Sequence, residues 1–512
     1  MSTDAPALNS REFLRWIWRQ LTSMRTALFL LLLLALAAVP GSLIPQRSVD
    51  PRKVEAYFIN HPASAPIMDR FGMFSVYTSP WFSAIYLLLL VSLVGCIIPR
   101  TGVYARALRA RPPKAPRNFS RLPASASFET SAEVGTVLAA GRKTIGRARV
   151  DKVGDELRAE TGYLREAGNL IFHTCLVIVL VGVASGAMFG YRGSAIVTEG
   201  SGFSNTLTQY DEFSSGALFD SDHLNPFSMT LDDFSAKFQL SGPQRGAPRK
   251  FEATGRYVRT PGAQEKPFSI TVNHPLTVDG TSVFLVGQGY APVIKVTDPK
   301  GGVAFEGAVP FLPSDATYTS TGVVKVPDAE PSQLGFQGFF LPTAISVGAK
   351  APVSAFPAAA NPLLGLFAYS GDLGLDGGTP QSVFILNKDN LKQFTNKDGS
   401  PLRLSLSTGE IADLPDGSTL QFVGLRQFVK FQFSSSPLLQ VPLWGISIGV
   451  LGLMLSLTIK PRRTWIRATR NGSRTVVEIA VLDRVSRGDQ PADLDDFVER
   501  FQTALAEPKD EA

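Results

Sequence analysis

The apolar stretch at residues 168–190, GNLIFHTCLVIVLVGVASGAMFG, constrains this sequence more than any other feature. It is 23 residues long and carries no formal charge. At about 1.5 Å per residue, a helix of that length crosses the roughly 30 Å hydrocarbon core of a bilayer. The stretch therefore predicts a transmembrane helix. Its one imidazole, His173, must face protein, water or a ligand rather than acyl chains, so it is a candidate functional residue.

Helical geometry gives this predicted helix two faces. At about 100° per residue, one face holds Asn169, His173, Val177, Leu180 and Ala184. The opposite face holds Gly182, Gly186 and Gly190, with Cys175 among them. Small residues let helix backbones approach closely in lipid, so we expect the glycine face to pack within this protein. The histidine face is then available to contact a ligand. The alternative is that His173 hydrogen-bonds to the backbone or a hydroxyl group of a neighbouring helix, in which case it is structural.

Three further apolar runs, at residues 26–44, 81–98 and 438–459, predict membrane spans. The first run is long and is followed by Pro45-Gln46-Arg47 rather than by a small-residue cleavage site, so we interpret it as a span and not as a cleaved signal. The expected fold class is a membrane protein with four transmembrane helices, a large external β-rich domain and a small cytoplasmic α+β unit.

The distribution of charge predicts the orientation of these spans. Residues 99–121 carry seven basic residues and no acidic one, and residues 460–474 carry six and none. Four arginines precede the first span, whereas residues 191–437 hold 18 Lys and Arg against 22 Asp and Glu. Because cytoplasmic loops are enriched in basic residues, we expect residues 1–25, 99–167 and 460–512 to be cytoplasmic. Residues 45–80 and 191–437 are then external, and the pI near 9.2 reflects topology rather than nucleic-acid binding.

The soluble segments predict two folded units. In the cytoplasmic loop, residues 127–130 predict a strand, 132–144 a helix, and 149–153 with 156–161 a hairpin that turns at Gly154-Asp155. A strand at 476–482 and an amphipathic helix at 493–506 could complete this unit from the tail. The external domain is predicted to be β-sandwich-like or open. Its predicted strands are 228–240, 250–258, 268–273, 282–286, 292–296, 303–311, 402–406 and 419–433, and 352–362 is an Ala/Pro-rich loop.

The remaining reactive side chains favour ordinary structural roles. The two cysteines, Cys96 and Cys175, both fall inside predicted spans and are interpreted as packing residues, so the chain offers no external thiol pair. His61 ends a predicted short helix that begins at Asp50, and His223 and His274 stand alone without a companion at metal-ligand spacing. No phosphate-binding glycine loop, zinc motif or nucleophile elbow occurs, and no catalytic residue is predicted.

Several segments, in this order, resemble the ResB family of System II cytochrome c biogenesis. They are Leu21-Thr22-Ser23-Met24-Arg25-Thr26-Ala27-Leu28, Pro40-Gly41-Ser42-Leu43-Ile44-Pro45-Gln46, Thr78-Ser79-Pro80-Trp81-Phe82, Ser92-Leu93-Val94-Gly95-Cys96 with Pro99-Arg100, Gly168-Asn169-Leu170-Ile171-Phe172-His173, Asn273-His274-Pro275-Leu276, and residues 449–457 with Arg462-Arg463 and Trp465. The resemblance covers nearly the whole chain, although residues 300–430 resemble the family only in placement and β character.

The resemblance implies a function in handling haem. Members of the family work with a ResC/CcsA-type membrane partner to carry haem b across the membrane for thioether attachment to apocytochrome c, supported by thiol-disulfide reductants of the ResA/CcdA type. A histidine in the corresponding span is regarded as a haem-iron ligand, and His173 stands at that motif. The tryptophan-rich segment of the partner is missing, so this chain resembles the non-catalytic subunit of a haem lyase complex. The alternative is a membrane-anchored sensor whose external domain binds a ligand and whose intramembrane histidine is structural.

Overall fold

A computed structural model of the chain describes residues 9–122, 124–346, 351–375, 382–483 and 494–506. Within these residues the chain forms nine α-helices. They are α1 (Ser10–Leu21), α2 (Met24–Leu43), α3 (Pro51–Asn60), α4 (Ala65–Arg70), α5 (Pro80–Arg109), α6 (Val134–Ile145), α7 (Tyr163–Phe189), α8 (Gln440–Thr458) and α9 (Leu494–Ala506). The chain divides into two compact units, one of Met1–Gly182 with Gln440–Ala512 and one of Val183–Leu439.

The same residues form 24 strands. The first half are β1 (Ala124–Thr130), β2 (Arg149–Val153), β3 (Glu156–Thr161), β4 (Tyr191–Thr198), β5 (Gly202–Ser204), β6 (Glu212–Ser215), β7 (Ser228–Phe238), β8 (Pro248–Val258), β9 (Lys266–Thr271), β10 (Leu276–Val278), β11 (Thr281–Thr297) and β12 (Val303–Ala308). The second half are β13 (Leu312–Pro313), β14 (Ser320–Val326), β15 (Leu334–Leu341), β16 (Ala344–Ile345), β17 (Val353–Ser354), β18 (Leu363–Gly371), β19 (Leu391–Gln393), β20 (Arg403–Ser407), β21 (Ile411–Asp413), β22 (Thr419–Ser435), β23 (Arg462–Asn471) and β24 (Arg474–Asp483).

Four helices, α2, α5, α7 and α8, are long and apolar enough to cross a membrane, which confirms the four predicted spans. Two of them begin at a serine cap: the Ser23 hydroxyl accepts a hydrogen bond from the Thr26 amide, and the Ser79 hydroxyl accepts one from the Phe82 amide. Helix α5 continues 11 residues beyond the predicted apolar run, to Arg109, and α7 begins five residues before it, at Tyr163. The cytoplasmic or external side of each loop stays a prediction.

The first unit contains a five-stranded antiparallel sheet in the order β1-β24-β23-β3-β2. Helices α6 and α9 pack on each other and on this sheet, around a core that includes Val137, Leu157, Ile479 and Phe501. The predicted α+β unit is therefore present, and the tail completes it as predicted. Strand β23 was not predicted, because the arginines at residues 462–471 were interpreted as the basic flank of the last span. Three of those arginines pair with acids of the neighbouring strands: Arg463 pairs with Glu160 of β3 at 2.9 Å, Arg462 with Asp483 of β24, and Arg467 with acids of both strands.

The small sheet is joined directly to the membrane helices α7 and α8. Gly162, at φ 87°, is the one residue between β3 and α7. A Cβ atom added to it would lie 2.4 Å from the Cα atom of Pro461, which precedes β23. Only glycine fits this crossing, because the backbone is left-handed and the neighbouring chain is in contact. The connections into α7 and out of α8 thus meet at one point beneath the two helices.

The second unit is built from antiparallel sheets, as predicted for the large β-rich domain. A seven-stranded sheet, β10-β11-β22-β4-β6 with β12 and β21 at its side, is organised on two 17-residue strands, β11 and β22. One half of this pair packs on the six-stranded sheet of β13, β14, β15, β18, β19 and β20, through residues such as Ile294, Phe422 and Phe336. The other half packs on the four-stranded sheet of β5, β7, β8 and β9, through Val283, Phe433 and Leu231.

Two details of the predicted β domain are wrong. The runs at 282–286 and 292–296 are one strand, β11, because a bulge between Leu285 and Gly287 lets the strand continue past its glycines. The predicted loop at 352–362 contains the short strand β17, which pairs with β16. In both places the local sequence is poor in β-forming residues, and the partner strand supplies the hydrogen bonds that the pattern did not predict.

Candidate functional site

Helix α7 packs on α8 through small residues. Of the predicted glycine face, Gly182 and Cys175 lie in this contact, whereas Gly186 and Gly190 lie beside residues that precede α8. A Cβ atom added to Gly168 would lie 2.4 Å from the Gly452 carbonyl oxygen, and one added to Gly182 would lie 2.9 Å from Pro442. Between them, Cys175 is buried beside Gly449. Both helices contribute glycines, so the two backbones approach more closely than larger side chains allow.

The other face of α7 lines a cavity of about 480 Å³ between three helices. Helix α2 contributes five residues to its wall, α5 seven and α7 six, and the wall is mainly leucine. Of the predicted histidine face, Asn169, His173 and Leu180 line the cavity. Leu176 and Val179 take the places expected for Val177 and Ala184, because the lining follows the three- and four-residue steps of the helix. The sequence alone did not show which other helices enclose His173.

The imidazole of His173 is half-buried and is held in one orientation. Its Nδ1 lies 2.8 Å from the Asn169 carbonyl oxygen, one turn earlier on the same helix. A carbonyl oxygen only accepts hydrogen bonds, so Nδ1 carries a proton, and Nε2 is the ring nitrogen left to bind a ligand. The Phe172 ring stands edge-on to the imidazole with the ring centroids 5.2 Å apart. A histidine whose Nδ1 is held by a carbonyl, with Nε2 available at the wall of an apolar cavity, has the geometry of an axial ligand for a metal.

Helix α5 forms the wall of the cavity opposite α7, and small residues fix its position. A Cβ atom added to Gly95 would lie 2.1 Å from the Thr22 methyl group, and the Ser92 hydroxyl donates to the Leu21 carbonyl at 2.6 Å. Cys96 lines the cavity while its thiol donates to the Thr22 carbonyl at 3.0 Å. These contacts seat the turn between α1 and α2 against α5. Close packing of α5 against this turn therefore explains the sequence motif around Gly95. The position of Cys96 in the same cavity as His173 was not predicted.

A second cavity, of about 510 Å³, adjoins the first where α5 and α7 meet the small sheet. Arg100, Asn169 and Leu170 line both cavities. The remaining lining of the second cavity includes the charged Arg165 and Glu166, with Tyr104 and Ser456. The apolar space beside His173 thus has a polar, predominantly cationic end.

Of the other histidines, His61 and His274 are not among the residues that line either cavity. His61 is exposed at the C-terminal end of α3, with its ring stacked on Tyr57 at 4.3 Å. His274 is exposed in a turn, where its Nδ1 lies 3.3 Å from the Thr271 hydroxyl. His223 ends a short 3-10 helix, and its side chain lies outside the described residues. In the described part of the chain, no group of three or more His, Cys, Asp or Glu side chains could hold a metal ion.

The chain has four membrane helices, a large β-rich domain between the last two, and a cavity that a histidine lines. These features define a class of membrane protein with a soluble domain inserted between its spans. The sequence profile of the ResB-like family matches residues 24–495. The chain belongs to this family.

Three relatives illustrate the similarity, and each carries the name cytochrome c biogenesis protein CcsB. The protein of Synechococcus sp. strain WH7803 is 27% identical over 278 residues, which cover 53% of this chain and 60% of the relative. That of Synechococcus sp. strain CC9311 is 26% identical over 346 residues, 63% of this chain and 75% of the relative. That of Gloeobacter violaceus is 24% identical over 315 residues, 57% of this chain and 63% of the relative. The chain thus matches about three fifths of the length of the first of these relatives.

Proposed function

We propose that this chain acts in cytochrome c biogenesis as the membrane subunit that receives haem b beside His173. With a ResC/CcsA-type partner, it then delivers the haem across the membrane for thioether attachment to apocytochrome c. The observation that carries the proposal is the free Nε2 of His173 at the wall of an apolar cavity. The names of the cyanobacterial relatives support the biogenesis role, which requires haem.

The cavity fits haem as a cargo. Its volume of about 480 Å³ lies within the usual range of small-ligand pockets, and its lining is dominated by leucines of α2 and α5. Haem iron accepts a neutral imidazole as an axial ligand, and the Asn169 carbonyl fixes the tautomer that this requires. His173 would therefore bind the iron, and the surrounding leucines would exclude water from the ring.

The second axial ligand is expected from the partner. No histidine occurs in α2, α5 or α8, so His173 is the only histidine in the four spans. Cys96 also lines the cavity, but its thiol already donates to a carbonyl. A site completed by two proteins would release haem when the partner moves.

The chemistry of thiols is assigned to other proteins. The two cysteines lie within α5 and α7, so neither can exchange with the cysteines of an external apocytochrome. Because thioether formation needs reduced thiols, reductants of the ResA/CcdA type would supply them. This chain would bind and position the haem, and it would not supply a catalytic group.

The orientation belongs to the same proposal. Strands β1, β2 and β3 precede α7, strands β23 and β24 follow α8, and all five join one sheet. Residues 124–161 and 462–483 therefore lie on one side of the membrane, and the basic residues around them favour the cytoplasm. The β-rich domain is then external, and haem made in the cytoplasm reaches His173 from the side of the small unit.

The test compares His173→Ala with His61→Ala in cells that depend on this chain. His173→Ala should abolish cytochrome c maturation and the Soret band of the complex purified with its partner, without loss of partner association. Added imidazole should fill the vacated space and restore part of both. His61→Ala removes an exposed histidine outside the cavity and should behave as the wild type. Normal maturation by His173→Ala at equal expression would contradict the proposal and favour a sensor with a structural histidine.

A further inference from the structure

Arg100 stands at the junction of the two cavities with no partner for its charge. Its side chain makes no hydrogen bond or ion pair with any residue that the structure describes, yet it lines both the apolar cavity and the polar one. It is also the first charged residue after the apolar run of α5, just past Pro99. Arg100 is exposed where the linings of the two cavities meet, so its guanidinium can bind an anionic group on a ligand in either cavity.

Arg165 adds a second cation to the same polar cavity. Its Nε donates to the Ser456 carbonyl at the end of α8, at 3.3 Å, which leaves the two Nη groups without a partner among the described side chains. Among the described residues that line this cavity, Glu166 is the only one with a carboxylate and Tyr104 the only one with a phenol. The lining of the cavity thus carries two guanidinium groups and one carboxylate, so its net charge is positive and attracts an anion.

We propose that Arg100, assisted by Arg165, binds the propionate carboxylates of the haem whose iron is ligated by His173. This assignment rests on the proposed function and names the residues that orient its cargo. Haem has an apolar ring with two carboxylates on one edge. The two adjoining cavities match it, because the apolar cavity can take the ring and the cationic end can take the carboxylates. Asn169 lines both and lies four residues, about 6 Å along the helix, from His173.

Arginine suits this role better than lysine. Its planar fork can donate two parallel hydrogen bonds to one carboxylate, which sets the direction of the ligand as well as its charge. A carboxylate that leaves water without such a partner is strongly disfavoured. The cationic end would therefore admit haem with its propionates toward the small sheet and its vinyl groups inward, beside α2 and α5.

The experiment titrates ferric haem and haem dimethyl ester, in which both propionates are neutral, into the full-length chain in lipid nanodiscs. The position of the Soret band reports ligation by His173. Wild-type protein should bind haem at least about tenfold more tightly than the ester, as expected for charge-assisted bonds to a carboxylate. In Arg100→Met the ratio should fall severalfold, and in Arg100→Met with Arg165→Met it should approach one. Arg100→Lys should give an intermediate ratio.

Arg106→Met is the matched control. Arg106 lies on the same helix, donates to the Gly102 carbonyl and lines neither cavity, so the wild-type ratio should persist. Equal affinity of wild-type protein for haem and its ester would overturn the assignment, even if an arginine variant failed to fold. An unchanged ratio in the double variant would do the same. Loss of the ligated Soret band from both compounds in His173→Ala tests the proposed function separately, because that result does not depend on the propionates.

Discussion

At the scale of single residues, the Asn169 carbonyl oxygen orients the imidazole of His173, because it accepts a hydrogen bond from Nδ1 and leaves Nε2 as the nitrogen that can bind a metal. An imidazole within 23 uncharged residues was enough to predict an intramembrane candidate ligand. Its tautomer was not predictable, because that depends on a 2.8 Å contact between Nδ1 and the Asn169 carbonyl. Arg100 was missed for a similar reason: in the sequence it is one of seven basic residues that mark a cytoplasmic loop, and only the structure places it in a cavity wall.

The two cysteines permit a prediction about thiol chemistry. Replacing Cys96 and Cys175 with serine should leave cytochrome c maturation at the level of the wild type. Serine can still donate to the Thr22 carbonyl as Cys96 does, and it is small enough to lie beside Gly449 as Cys175 does. Maturation is measured by haem staining of exported cytochrome c at matched protein levels. Loss of staining in this variant, with normal partner association, would show that a thiol takes part directly.

Glu156 in the small sheet gives a prediction about pH. Burial raises the pKa of its carboxyl, but hydrogen bonds and charges from Arg158 and Arg467 outweigh burial and hold that pKa below its usual range. Folding thus favours the carboxylate, and its stabilising contribution is present above the unfolded pKa of about 4.3 and is lost as pH falls through the folded value. Glu156→Gln should destabilise the unit by about 1–3 kcal/mol at pH 7. The difference should shrink at pH 3 to 4.

Hydrogen–deuterium exchange of β3 and β23, corrected for intrinsic rates, measures this difference at each pH. Glu129→Gln is the matched control, because Glu129 pairs with Arg474 where both side chains are more than half exposed. Exposed pairs contribute about 1 kcal/mol or less, so its exchange should change little. Equal exchange of wild type and Glu156→Gln at pH 7 would contradict the stabilising role of the Arg158 and Arg467 contacts.

At the scale of elements, the contact between α7 and α8 predicts the effect of adding one methyl group. Gly168→Ala places a Cβ atom 2.4 Å from the Gly452 carbonyl oxygen, so the helices must separate. We expect a loss of about 1–3 kcal/mol in stability, seen as a lower melting temperature in detergent. Gly102→Ala is the control: it lies in α5 with nothing within 4 Å of the added atom, and alanine favours helix. A lower melting temperature for Gly102→Ala alone would refute this account of the interface.

The elements of the small unit were largely predictable, since each has a clear local pattern. The hairpin of β2 and β3, helix α6, strand β24 and helix α9 were expected near their observed bounds. Strand β23 was not, because it alternates arginine with apolar residues next to a membrane span, where basic residues already have an explanation. In the β domain, β11 was predicted as two strands for a different reason. Gly287 and Gly289 interrupt the sequence pattern of a strand, and long-range pairing with β22 keeps the strand continuous despite them.

At the scale of the whole molecule, charge predicts which side of the membrane each part occupies. Reporters fused after residue 120 and after residue 470 should report a cytoplasmic location. A reporter inserted at Gly301, in the exposed turn between β11 and β12, should report an external one. Protease protection of β24 epitopes in sealed cells is an independent measurement. An external signal from the fusion after residue 120 would contradict the four-span topology.

The small sheet also has a consequence for biosynthesis. Its strands β1 to β3 emerge from the ribosome about 300 residues before β23 and β24, which complete it. If only one of α7 and α8 inserts, the two halves of the sheet lie on opposite sides of the bilayer and the sheet cannot close. Until β23 and β24 are in place, β1 and β3 keep unpaired edges, which favour aggregation. A chain in which only one of the two helices has inserted is therefore left with an unfinished sheet.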